Sequence, residues 1–207
     1  ADPKDVGPAA KANPDISFVV YHSGFDVTPL KAEGPYDETN TAGVDRLITT
    51  LKQNDIEPGG NVYAELGSTW RILMGNPTTA AHVVGKLLVH FGEDNVMWGT
   101  DSIWYGAPQD QIEAFRAFEI TPQFQEQFGY PLLTKEIKAK ILGLNSARLY
   151  GVSPITGDCR FDRERIAELR QTSADNNATF GPRTAAGAAA VMAAELRSIG
   201  ALTSNPF

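Results

Sequence analysis

Three short apolar runs, separated by helical patterns, constrain this chain more than any other feature of its sequence. "ISFVVY" (16–21), "NVYAELG" (61–67) and "VMWG" (96–99) read as strands beginning near residues 16, 61 and 95. The first run has Val, Ile and Phe without alternation, which predicts a strand covered on both faces, as in parallel sheets. Between the first two runs, "AGVDRLITTLKQNDI" (42–56) sets Val44, Leu47, Ile48 and Leu51 on one helical stripe. Between the second and third, "TTAAHVVGKLLVHF" (78–91) carries Val83, Val84, Leu87 and Leu88 at helical spacing, and Gly92 stops it. Strand starts about 45 and 34 residues apart, each gap holding a helix, predict a βαβαβ unit with parallel strands and right-handed crossovers.

The flanks are less regular. "VGPAAKANPD" (6–15) reads as a polar, Pro-interrupted lead, and the long segment "SGFDVTPLKAEGPYDETNT" (23–41) as a functional loop rather than a tight connection. After the third strand the pattern turns helical through "QDQIEAFRAFEI" (109–120), "TKEIKAKILGL" (134–144) with Thr134 as N-cap, and "NSARLYG" (145–151). From Val152 onward it loosens, ending in the Ala-rich helical pattern "TAAGAAAVMAAELRSIG" (184–200).

Composition narrows the partners. With 207 residues, of which 42% are hydrophobic, the chain can bury the core of one globular domain with an appendage. A net charge of −7, without a Lys/Arg-rich run, repels a polyanion and argues against nucleic acid. The longest apolar runs fall far short of the roughly 18 residues of a membrane-spanning helix, so no membrane segment is expected. The single Cys159 can form no internal disulfide. It leaves the compartment open, with a soluble cytoplasmic setting favoured over secretion.

In parallel α/β sheets, side chains at the carboxyl ends of strands line the crevice or barrel mouth where ligands bind. Two such ends carry metal-competent groups: His22 ends the first strand and Asp101 follows the third. An imidazole and a carboxylate suit a divalent metal such as zinc, and either suits proton transfer. Glu65, at the end of the middle strand, is a further candidate whose direction the sequence leaves open. Each has a bland alternative: a strand-end histidine held by structural hydrogen bonds, or an aspartate capping the next turn. His82 and His90 stand eight residues apart on one helix, which is not the spacing of a helical metal pair, and read as packing or surface residues. Trp98, Trp104 and Tyr105 flank Asp101 as core packing or pocket lining.

Order and phrasing tie these signals together. "NPDISFVVYHSGF", "NVYAELGS", "FGEDNVMWGTDS" and "KILGLNSARLYGV" resemble, in that order, the last three barrel strands and closing helix of the amidohydrolase superfamily. The nearest branch looks like that of aminocarboxymuconate-semialdehyde decarboxylase and related metal-dependent hydrolases. The resemblance covers residues 1–152; residues 153–207 would form a helical extension. It implies an α/β fold, the C-terminal portion of a (β/α)8 TIM barrel comprising about strands six to eight. It also implies a divalent metal, zinc by preference, at the strands' carboxyl ends. His22 matches the family's acid/base or ligand on strand six, and Asp101 the metal-binding or proton-accepting aspartate after strand eight. The ligands of the earlier strands have no counterpart, so the chain reads as the C-terminal part of an enzyme whose open barrel face is covered by a second copy or a completing chain. The expected activity is metal-dependent hydrolysis of a small carboxylated or cyclic substrate. Decarboxylation of an aromatic or unsaturated acid is the alternative, and a non-catalytic barrel fragment is the third reading. Inward-pointing His22 and Asp101 should then lie about 4 to 8 Å apart.

Overall fold

The computed structural model describes residues 2–26 and 33–154, together with Glu164 and Ala190. The chain divides into two units, Ala1–Ile155 and Thr156–Phe207. Cys159 and, apart from the helical Glu164 and Ala190, the expected tail beyond Pro154 lie outside the described residues.

The first unit opens with helix α1 (Val6–Ala12), which corrects the reading of this segment as an irregular lead. Pro8 falls in the first turn, where the missing N–H has no partner inside a helix in any case. Strand β1 (Phe18–Val20), helix α2 (Gly43–Gln53) and strand β2 (Val62–Glu65) follow. A short helix α3 (Gly67–Leu73) starts almost directly from β2, and α4 (Pro77–Phe91) leads to strand β3 (Val96–Met97). The chain continues through α5 (Ser102–Tyr105), α6 (Gln109–Ala117), α7 (Pro122–Phe128) and α8 (Lys135–Ala139). A wide turn over Lys140–Leu144 joins α8 to α9 (Asn145–Leu149).

The three strands form one parallel sheet in the order β1-β2-β3, with Val20 opposite Ala64 and Glu65 opposite Met97. This is the βαβαβ unit that the apolar spacing predicts. Its core lies on one face, where Val62, Ala64 and Val96 are buried together with Leu47 and Ile48 of α2 and Val83, Val84 and Leu87 of α4. Along β2 burial alternates: Val62 and Ala64 are buried, while Tyr63 and Glu65 on the opposite face are half-buried. All of β1 is half-buried. Cover is therefore uneven: β1, expected to be covered on both faces, is half-buried throughout, whereas both residues of β3, Val96 and Met97, are buried.

Three asparagines lock the amino end of the sheet. The Asn61 amide donates to the carbonyls of Ala10, Asn13 and Ile16, so it draws α1 and the turn before β1 onto the start of β2. Asn95 donates to Gly60 and Val62, and Asn145 of α9 to Glu93 and Val96. A buried side-chain amide replaces the ladder bonds that short strands lack, because strand-end carbonyls left without donors would be costly. The carboxyl end of the sheet is consequently presented by a braced frame.

Candidate active site

At that carboxyl end the backbone leaves ordinary conformations. His22 (φ 58°), Ser23 (φ 53°) and Asp101 (φ 49°) all sit in the left-handed region, and only Asp55 joins them among the described non-glycine residues. Such conformations persist where the surroundings impose them, and they cluster at functional sites. Here the turn after β1 and the turn after β3 use them to swing two side chains toward each other.

The two meet: His22 Nε2 lies 3.5 Å from Asp101 Oδ2, closer than the separation expected from strand geometry. Both side chains remain partly open to solvent. Between them stands Ser68 in the first turn of α3. Its N–H is shared by His22 Nδ1 (3.2 Å) and Asp101 Oδ2 (3.1 Å), and its hydroxyl donates to the same Oδ2 at 2.6 Å. The Tyr105 hydroxyl, 2.9 Å from Ser68 Oγ, supplies that oxygen with a donor in turn. Because Nδ1 accepts from Ser68, the proton of a neutral ring falls on Nε2, the nitrogen facing Asp101. Asp101 Oδ1 receives no hydrogen bond from the described residues, so the two oxygens of one carboxylate have different work.

Asp101 occupies the N-cap position of α5 but does not cap that turn through its side chain, although its backbone carbonyl accepts the Trp104 N–H at 2.8 Å. The Thr100 hydroxyl accepts the Ser102 N–H instead, at 3.2 Å. Behind it, Gln111 of α6 is fully buried and donates to the Thr100 carbonyl, which fixes the entry into the turn.

Glu65 points toward the site face, as its alternation with Tyr63 allows, but it is engaged elsewhere. Oε2 accepts the His22 N–H at 3.0 Å and Oε1 the Gly67 N–H at 2.7 Å. His82 and His90 are far from this chemistry. His82 is buried against Phe124, Phe128 and Tyr130, and His90 packs on the ring of Tyr36. Burial holds both imidazoles below their ordinary pKa, with the Lys86 charge adding to the effect at each. Trp98 packs on Phe115 in the core, while Trp104 is 79% exposed at the rim.

Ser68 is the site residue that sequence reasoning missed, and Tyr105 was read as flanking Asp101 without a bonding role. Their one signal is position: Ser68 follows Glu65 and Gly67 at the end of β2, and Tyr105 lies a single helical turn beyond Asp101.

A parallel α/β sheet with an imidazole and a carboxylate converging at its carboxyl rim defines a class of enzyme sites. Residues 1–152 match the sequence profile of the family described as Amidohydrolase, and the chain belongs to that family. No curated protein and no solved structure gives a match. Members of this superfamily usually bind a divalent metal. Among the described residues His22 and Asp101 have no third His, Cys, Asp or Glu grouped with them to hold one. Glu65 is committed to backbone amides. Two donors do not close a tetrahedral zinc site, so these residues alone do not fit the ion.

Proposed function

We propose that this protein is a hydrolase acting on a small carboxylated or cyclic substrate, with His22 as general acid and base and Asp101 as its partner. The observation that carries the proposal is the 3.5 Å approach of His22 Nε2 to Asp101 Oδ2 at the carboxyl rim of a parallel sheet in an amidohydrolase chain. In hydrolysis an imidazole relieves the attacking water of its proton and returns one to the departing nitrogen or oxygen. The ring's lone pair is on Nδ1, so Nδ1 takes the proton while the Ser68 N–H, already shared with Asp101 Oδ2, turns wholly to that oxygen; Oδ2 also holds the Nε2–H and stabilises the imidazolium, and Oδ1 stays available to water or substrate. The separation is long for a hydrogen bond, as unliganded catalytic pairs often are before substrate draws them together.

The same reading takes β1, β2 and β3 as the last three strands of a (β/α)8 barrel, which the three-stranded parallel sheet supports. Further strands, from this polypeptide or another, would cover the face that carries Tyr63 and Glu65. A divalent metal, zinc by the resemblance, needs at least one donor from outside the described residues.

Decarboxylation of an aromatic or unsaturated acid, the chemistry of the branch that the sequence resembles, is the second reading, because the same imidazole can deliver a proton to carbon. Product analysis in oxygen-18 water separates the two. Hydrolysis places one labelled oxygen in the product per turnover, whereas release of carbon dioxide with no label in the organic product would refute it.

A further inference from the structure

We infer that Glu65 is the positioning residue of this site: it binds neither substrate nor metal, and it imposes the left-handed turn that aims His22. Two bonds reach that turn from Glu65 at the end of β2, and a third holds the Glu65 carboxylate against the start of α3. The Glu65 carboxylate accepts the N–H groups of His22 (3.0 Å) and Gly67 (2.7 Å), and its backbone carbonyl accepts the Ser23 hydroxyl at 2.8 Å. His22, the fully buried Ser23 and Gly24 follow one another in this turn with positive φ, and His22 and Ser23 are its non-glycine members. Thr69 completes the bracket by donating its hydroxyl to the His22 carbonyl at 2.7 Å. Both backbone polar groups of His22 are thus tied to the segment that follows β2, which is how a conformation unfavourable in isolation is maintained.

The neighbouring glycines are shaped to this carboxylate. A Cβ at Gly99 would overlap Oε1 of Glu65, and a Cβ at Gly67 would stand 2.9 Å from Oε2 and 2.5 Å from His22 Nδ1. Both positions are left open so that Glu65 can lie between the two turns. A carboxylate suits the task because it only accepts, and two N–H groups face it. Glutamine would turn an NH2 toward one of them, and aspartate, one methylene shorter, cannot span both.

The inference rests on the proposed function only in calling His22 the reactive group, and it is tested without substrate. The chain has three histidines, His22, His82 and His90, whose ring signals can be followed by NMR in the 207-residue protein at one fixed pH. In Glu65→Gln, Glu65→Asp and Gly99→Ala, the His22 ring signal should move while those of His82 and His90 stay in place. Amide exchange of His22 and Gly67 should accelerate about tenfold or more, as loss of a charge-assisted bond requires. An unmoved His22 signal overturns the inference, and so does a common shift of all three rings, which would make Glu65 a general stabiliser. If those variants do not fold, Ser23→Ala carries the test, since it deletes only the hydroxyl bond to the Glu65 carbonyl: a selective His22 shift supports the inference and an unmoved one ends it. Wild-type protein without hydrolytic turnover would count against the proposed function and leave this result standing.

Discussion

The conformations of His22 and Asp101 decide which substitutions can interrogate them. Both occupy the left-handed region, which asparagine tolerates better than other non-glycine residues and β-branched side chains tolerate worst. Asp101→Asn and His22→Asn should therefore keep the fold, with midpoints of thermal unfolding within a few degrees of wild type. Asp101→Val should be destabilised by roughly 1–2 kcal/mol through backbone strain alone, measured by urea unfolding. The two proposed reactive residues were legible in the sequence because the turns that follow parallel strands open at the rim, although His22 lies beyond the end of β1 and Asp101 beyond the end of β3 rather than within them. The bond between Ser68 and Tyr105 was not legible, because it depends on how α3 and α5 leave adjacent strands. Asp101 carried two readings in "GTDS", and the bond of the Ser102 N–H to Thr100 takes the side-chain capping role from it.

At the scale of elements, α4 carries two features with measurable consequences. Lys86 is fully buried and bonds at 2.6 Å to both Glu33 and Asp45. Removing one member of such a group strands the others without compensation. Lys86→Met should accordingly cost about 3–5 kcal/mol in urea unfolding, although methionine fits the space. One turn earlier, His82 Nδ1 lies 3.1 Å from the Tyr130 hydroxyl, whose pKa burial pushes up to about 12. The phenol keeps its proton at neutral pH. His82 in the folded chain protonates below its ordinary value of 6.5 because burial disfavours the cation. The unfolded chain then binds protons more readily than the folded one, so the stability contributed by neutral His82 is complete above about pH 6.5 and declines as pH falls through that value. His90, shifted the same way, adds to it. Unfolding midpoints should drop between about pH 7.5 and 5.5, and His82→Phe should flatten that slope; an unchanged slope would show that His82 is not its source. The apolar stripes of α2 and α4 were readable because Val44, Leu47, Ile48 and Leu51, and Val83, Val84, Leu87 and Leu88, repeat with helical period. Helices α1 and α7 were not, for α1 has a proline in its first turn and α7 relies on the Thr121 cap and Pro122 rather than on a stripe.

For the molecule as a whole, the three-stranded sheet is the dominant fact. Among the described residues β1 and β3 each pair on one side only, and Ile103 and Trp104 stand 84% and 79% exposed beside Asp101. Open strand edges and large exposed apolar side chains invite further strands or a partner surface. The proposed barrel accordingly predicts concentration-dependent association of the 207-residue chain, measured by sedimentation, and weaker association for Trp104→Ser. A monomer at every concentration tested would argue against an exposed barrel face. No helix among the described residues is long and apolar enough to cross a membrane. The parallel order could be read from strand spacing, whereas the half-burial of β1 could not, because an unbroken apolar run looks the same whether its neighbours belong to this segment or another.

The central claim, that His22 and Asp101 form the reactive pair of an amidohydrolase-type enzyme, is tested most directly by turnover of Asp101→Asn beside wild type. The assay uses a panel of cyclic amides, lactones and aromatic carboxylic acids, with thermal unfolding of both proteins measured in parallel. Loss of a group that drives proton transfer lowers rates by about 10²–10⁴. The account predicts a loss of at least that size on whichever substrate wild type turns over, with the unfolding midpoint preserved. Wild-type turnover by a folded Asp101→Asn protein would contradict it.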